Sequence, residues 1–169
     1  MTARFVGLFE AEYPRVHAYL ARRLPDRSAA EDLASEVFGI AWQRTMADGV
    51  PSPAWLFVTA RNLLANHRRK SARREEIEAA VPTGVPADDD TADRVLLVLE
   101  SLRPDHREVL RLRYWDELSG HEAAQVLDCS EGAVWVRLHR ARRAFSAAWD
   151  LPVSSRHHPH STATGRGGT

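Results

Sequence analysis

Cysteine occurs once in this chain, at Cys129. A lone thiol closes no internal disulfide, which suits a reducing compartment. Net charge is lacking as well, because 23 Lys and Arg balance 23 Asp and Glu. Overall charge therefore gives no reason to invoke nucleic acid, and any such case rests on where the cations sit. No run approaches the ~18 uninterrupted apolar residues of a membrane span. The opening MTARFVGLFEAEYPRV has no apolar run ahead of a small-residue cleavage site, and acids follow at once, which argues against export. These absences set the expectation of a soluble, cytoplasmic protein with no membrane partner.

Strand-like alternation of useful length is missing, and so is any internal repeat. There is no nucleophile–base grouping, glycine-rich phosphate loop or metal-ligand spacing. We therefore expect no enzyme, no catalytic residue, no cofactor and no metal. What is present is the composition of a folded soluble protein, 44% apolar and 27% charged. The 169 residues suffice for one ordinary domain or two small ones.

Apolar spacing by threes and fours marks helices. Residues 4–24 carry Phe5, Leu8, Phe9, Val16, Leu20 and Leu24 in that pattern, with Pro14 predicting a kink or two abutting helices. A second helix is expected from Ser28, with Glu31 completing a capping box and Leu33, Val37, Ile40 and Ala41 turned inward. After the turn-rich MADGVPSP, Ser52-Pro53 reads as an N-cap followed by proline at the first helical position. The helix beyond buries Leu56, Ala60, Leu63 and Leu64 and ends in Arg68, Arg69, Lys70, Arg73 and Arg74.

Composition then shifts. AAVPTGVPADDDTAD has three acids in a row, two prolines and little to bury, so it reads as a tether. Periodicity resumes with Val95, Leu99 and Leu102 and restarts from Pro104 through Val109, Leu110 and Tyr114. Ser119 to Glu122 is another capping box, opening a short helix with Ala123, Ala124 and Leu127. The turn Asp128-Cys129-Ser130 follows, with Asp128 suited to positive φ. The expected fold is all-α: a helical domain over residues 1–76, a flexible acidic linker over 77–93, a helix-turn-helix domain over 94–150 and a disordered tail over 151–169.

Three weak signals bear on function. The helix after Ser130 sets Val134, Leu138, Ala141, Phe145 and Ala148 on one face, leaving Arg137, Arg140 and Arg143 to meet phosphates. An ordinary helical hairpin with a solvated arginine face fits the same spacing. The second helix sets Glu31, Asp32, Ser35 and Glu36 outward, with Trp42 and Gln43 beyond; this is a protein-docking face or a solvated surface with a buried tryptophan. The third helix pairs Trp55 and Phe57 with Asn62, Asn66, His67 and a basic end. That arrangement suits single-stranded nucleic acid, or else core aromatics and cations favoured by the helix dipole.

AEDLASEVFGIAWQR, then PAWLFVTARNLLANHRRK, then LRPDHREVLRLRYWDELSGHEAAQVLDCSEGAVWVRLHRARRAF occur in that order. From about Phe5 to Trp149 the chain resembles an extracytoplasmic-function (ECF) sigma factor of bacterial RNA polymerase, in the sigma-70 family. The resemblance implies a protein that binds core polymerase and directs promoter-specific initiation without making bonds itself. It implies that Glu31, Asp32, Glu36 and Trp42 dock on the clamp helices of the largest subunit, with the flap as a second contact. Asn62 would line the pocket for a flipped base of the minus-ten element, with Trp55, Arg61, Asn66, Arg68, Arg69 and Lys70 around it. Ser130, Glu131, Trp135, Arg137, His139 and Arg140 would lie at the minus-thirty-five element. Promoter DNA and an anti-sigma factor complete the implied partners.

Departures from the family pattern matter. Trp135-Val136 stands where a polar or basic pair is usual, which predicts a changed minus-thirty-five preference with the sigma role kept. Gly120 replaces a larger residue after the serine cap, which predicts a looser first helix of the motif. The loop before Ser52 is short and lacks an aromatic, which predicts unusual minus-ten readout. Two alternatives stand beside this reading: a sigma-like regulator that never opens promoters, and a stand-alone helix-turn-helix regulator. His157, His158 and His160 in the tail have no fixed geometry and no cysteine or acid to complete a metal site. Cys129 reads as a small apolar turn residue rather than a redox switch.

Overall fold

A computed structural model describes residues 2–75 and 90–151. Most of the acidic tether and the histidine-containing tail therefore lie outside the described residues. Among the described residues all regular structure is helical: α1 (Thr2–Ala21), α2 (Arg27–Asp48), α3 (Pro53–Glu75), α4 (Asp90–Ser101), α5 (Pro104–Tyr114), α6 (Gly120–Leu127) and α7 (Glu131–Trp149).

α1, α2 and α3 pack against one another. α1 runs unbroken through Pro14. A mid-helix proline removes one backbone bond, and here the packing on either side of it carries the helix across. Tyr13 and Phe9 set their rings against Phe38, and Val16, Tyr19 and Leu20 are fully buried just beyond. α2 begins earlier than its sequence suggests. Its N-cap is Asp26, whose carboxylate accepts from the Ser28 N–H at 2.9 Å, so Ser28 lies inside the helix. Glu31 makes no capping box and instead pairs with Arg27 at 3.2 Å. Asp outcompetes Ser here because it stands where the chain is still extended, with its oxygen aimed at the first free N–H groups. α3 starts as expected at Pro53, with the Ser52 hydroxyl accepting from the Trp55 N–H at 3.3 Å. Ala54, Leu56, Phe57, Ala60 and Leu64 are buried on it, while Leu63 is only half-buried.

α7 is the spine of the second half, packed on α4, α5 and α6. Leu99, Val109, Leu112, Leu118, Val126, Leu138 and Ala141 fill the space between them. α4 starts at Asp90, so residues 90–93, expected to be tether, are helical. Asp93 stands in its first turn, where an acid meets the positive end of the helix dipole.

The two halves meet. α3 packs on α6, and the end of α1 meets the loop between α5 and α6. Asp116 in that loop is fully buried, held by Arg22 and by Arg23 at 2.8 Å. Arg23 also reaches Glu108 at 3.1 Å, and Arg22 donates to the Trp115 carbonyl at 3.0 Å. The Arg23 guanidinium lies 3.8 Å over the Tyr19 ring, and burial pushes the Tyr19 hydroxyl well above the ordinary tyrosine range. Burial by itself would lower the Arg23 pKa; Glu108, Tyr19 and Asp116 together raise it, so the buried cation stays charged.

Candidate nucleic-acid and protein interfaces

α6 and α7 form a helix-turn-helix whose joints are each closed by a side chain or a special backbone angle. The Ser119 hydroxyl accepts from the Glu122 N–H at 3.2 Å, and the Glu122 carboxylate accepts from the Ser119 N–H at 2.8 Å. Burial works against the Glu122 charge, but the Ser119 hydrogen bonds outweigh it and hold the carboxyl below the usual glutamate range. At the turn Asp128 adopts φ 51, ψ 55, the left-handed region that aspartate tolerates. This lets the Cys129 N–H reach back to the Ala124 carbonyl at 3.0 Å, with the thiol half-buried. The Ser130 hydroxyl then caps α7 by accepting from the Ala133 N–H at 3.2 Å.

Val134, Leu138 and Ala141 bury one face of α7 against the core. Glu131, Trp135, Val136, His139, Arg140 and Arg143 occupy the exposed face, and Arg137 is half-buried at its margin. Among the described residues no hydrogen bond or ion pair engages Arg137, His139, Arg140 or Arg143, so their charges and donors are open to a ligand. Arg142 faces elsewhere and donates to the Tyr114 hydroxyl at 2.7 Å.

Trp135 does not project alone. A Cβ built at Gly120 would sit 2.9 Å from Trp135 Cζ2 and 2.8 Å from Glu131 Oε1, so the indole lies against the backbone at the start of α6. The Trp135 N–H donates to Glu131 Oε1 at 3.4 Å, and the side chain remains 46% exposed. Gly120 is buried and its capping box is intact, so the expected loosening of α6 is corrected: the missing side chain is the space the indole uses.

On α3, Trp55 is half-buried beneath the Arg44 guanidinium, 5.1 Å from its ring centre. Phe57 is fully buried against Tyr19, so of the two readings of the α3 aromatics the core reading holds for Phe57. Asn62 and Asn66 are exposed one turn apart, and Asn66 accepts from Arg69. Arg69 and Lys70 are exposed beyond them. Arg61 and Arg68 are otherwise engaged: Arg61 donates to the Val126 carbonyl of α6 at 2.7 Å, and Arg68 to the Arg23 carbonyl at 2.9 Å. The structure thus gathers the α3 residues on one helix but commits Arg61 and Arg68 to backbone carbonyls outside that helix and Arg69 to Asn66 within it.

On α2, Glu31, Asp32, Ser35 and Glu36 are exposed. Trp42 is 37% exposed with its edge on Phe5, ring centres 5.0 Å apart, so it is not a buried tryptophan beneath a solvated surface. Exposed Met46, Val6 and Phe9 enlarge this apolar surface. The α1 stripe predicts Phe9 inside; the structure packs its ring on Phe38 of α2 and leaves the residue 39% exposed. A second apolar surface was also missed: an open groove of about 580 Å³ lined by Val95, Leu99, Leu110, Tyr114, Phe145 and Trp149. Val95, Leu99, Leu110, Tyr114 and Phe145 each fit a core stripe by spacing, and the structure leaves part of that stripe open between α4, α5 and α7.

Two family descriptions match: Sigma-70 region 2 over residues 8–74 and Sigma-70 region 4 over residues 92–145. The chain is 34% identical over 149 residues to the ECF RNA polymerase sigma factor SigL of Mycobacterium tuberculosis, covering 82% of this chain and 84% of that protein. The chain belongs to the ECF RNA polymerase sigma factors. It is also 38% identical over 133 residues to the RNA polymerase sigma-E factor of Streptomyces coelicolor, covering 72% of each. The sigma factor's fold is similar to that of the sigma factor RpoE in complex with the anti-sigma factor NepR from Bartonella quintana (TM-score 0.66, 24% identity, 88% of this chain and 98% of that one). It also resembles CnrH in complex with the cytosolic domain of CnrY (TM-score 0.63, 27% identity, 89% and 90%). As a sigma factor it acts in promoter-specific initiation with RNA polymerase, and a stand-alone helix-turn-helix regulator, which needs no region 2, is set aside. Among the described residues no helix is long and apolar enough to cross a membrane.

Proposed function

We propose that this sigma factor works in the cytoplasm as two DNA-facing units, one over residues 1–76 and one over residues 94–150, and makes no bond itself. The observation that carries this is the braced helix-turn-helix, whose exposed face holds uncommitted cations while its other face is locked in the core. Arg137, His139 and Arg140 contact the minus-thirty-five element, with Ser130 and Glu131 at its edge. Trp55, Asn62, Asn66, Arg69 and Lys70 face the minus-ten region, and Arg61 and Arg68 join them when their internal bonds are released. Glu31, Asp32, Glu36 and Trp42 dock on the clamp helices of the polymerase. The groove beside α7 suits the flap, since its walls are mostly aliphatic and aromatic, with Arg142 beside them. An anti-sigma factor is a further partner, as the two structural relatives are each described in complex with a second protein.

The test is transcription in vitro with purified protein, bacterial core polymerase and fragmented host DNA, with transcript ends mapped. Discrete new starts sharing an upstream motif are expected. Core binding without new starts would instead describe a regulator that never opens promoters. Asp32→Lys or Glu36→Lys should weaken core binding while helical content is unchanged; unaltered core affinity would sink the docking assignment.

A further inference from the structure

The exposed stripe of a recognition helix ordinarily offers hydrogen-bonding groups to base edges. Here it offers carbon. Trp135 and Val136 are 46% and 50% exposed side by side, near the amino end of α7 where base contacts are made. The one polar atom of the indole is already engaged, its N–H given to the exposed Glu131 carboxylate. One turn earlier Gly132 has no side chain, and a Cβ there would meet nothing nearer than the Ser130 hydroxyl at 4.0 Å. In that turn the Glu131 carboxylate is the side chain set against the indole, and Gly132 adds no bulk beside it.

In the major groove the base edges present donors and acceptors throughout, with one apolar exception, the C5-methyl of thymine. We propose that Trp135 reads thymine methyl groups in the upstream promoter element, and that Gly120 is the seat that fixes its angle. The inference rests on the sigma reading and names the chemistry its recognition helix selects. Gly120 is the positioning residue: with no Cβ, it lets the start of α6 close on the indole, which is then held between α6 and the Glu131 carboxylate. A side chain held this way loses little freedom on meeting DNA, which favours contact. Arg140 and His139, one turn on along the same stripe, remain for phosphates and neighbouring bases.

The experiment uses holoenzyme assembled from the full chain and bacterial core polymerase, with a mapped promoter in which each upstream thymine is replaced singly by deoxyuridine. That change removes a methyl group and nothing else. The wild-type holoenzyme should lose about fourfold in affinity at one or two positions, the equivalent of one methyl group buried at ~0.8 kcal/mol. Trp135→Ala should bind all the templates alike, Trp135→Phe should keep the methyl dependence, and Gly120→Ala should weaken it or move it to another thymine. Methyl-independent binding by the wild type overturns the proposal, and so does a methyl dependence that survives Trp135→Ala. If no holoenzyme binds the unmodified promoter, the sigma reading fails and the inference falls with it.

Discussion

Individual side chains divide here by whether the core has claimed them. Arg140 and Arg142 lie two residues apart on α7, yet Arg142 is bound to Tyr114 while Arg140 has no partner among the described residues. Neutralising Arg140 should therefore reduce the salt dependence of promoter binding by about one unit of slope, the release of one counterion. An unchanged slope in a salt titration of the Arg140→Ala holoenzyme would remove it from the phosphate track. Phe57 is the opposite case, an aromatic near the start of a helix with a basic end that is buried rather than offered for stacking. Phe57→Ala should cost ~3–5 kcal/mol of stability, the usual price of an emptied aromatic site. Denaturant unfolding measures it, and a loss under ~1 kcal/mol would mean the ring is not packed as described.

Among the elements, the short helix α6 depends most on its ends. It spans Gly120–Leu127, too few residues to be stable by propensity, so its capping box and its packing on α3 and α7 hold it. Glu122 has its pKa depressed below the ordinary 4.5, so its contribution is complete above that value and is lost as pH falls through the lower, folded one. Acid unfolding of wild type and Glu122→Gln should therefore converge on lowering the pH below 4.5, and differ above it. Curves that stay parallel across that range would show that the charge is irrelevant to the cap. The box itself, the Ser52-Pro53 start of α3 and the positive φ at Asp128 were all legible in the residues, because each depends on a few neighbours. The start of α2 was not, since Asp26 and Ser28 both suit a cap and only the backbone at Asp26 decides between them.

For the molecule as a whole, the consequential feature is the buried cluster of Asp116 with Arg22 and Arg23 between the halves. Breaking a buried pair from one side strands a charge, at ~3–5 kcal/mol. Asp116→Ala should accordingly loosen the docking of α1 on the α5–α6 loop, increasing protease cutting within residues 76–89 and widening the molecule in small-angle scattering. Unchanged dimensions and cutting would show that the α3–α6 contact suffices without the cluster. Arg61 is held across the same boundary by the Val126 carbonyl, so separating the halves also frees that cation, whereas the Arg68 bond to the Arg23 carbonyl lies within the first half.

By itself the chain's sequence determined the helices, their order, the helix-turn-helix and the family, since periodicity, caps and co-linear motifs are local patterns. Tertiary structure alone decided what those patterns are used for. It placed Trp135 on Gly120, buried Phe57, joined Asp116 to two arginines more than ninety positions away and left the groove beside α7 open. Each of these depends on residues far apart in the chain coming within contact distance, and neither composition nor spacing encodes that distance.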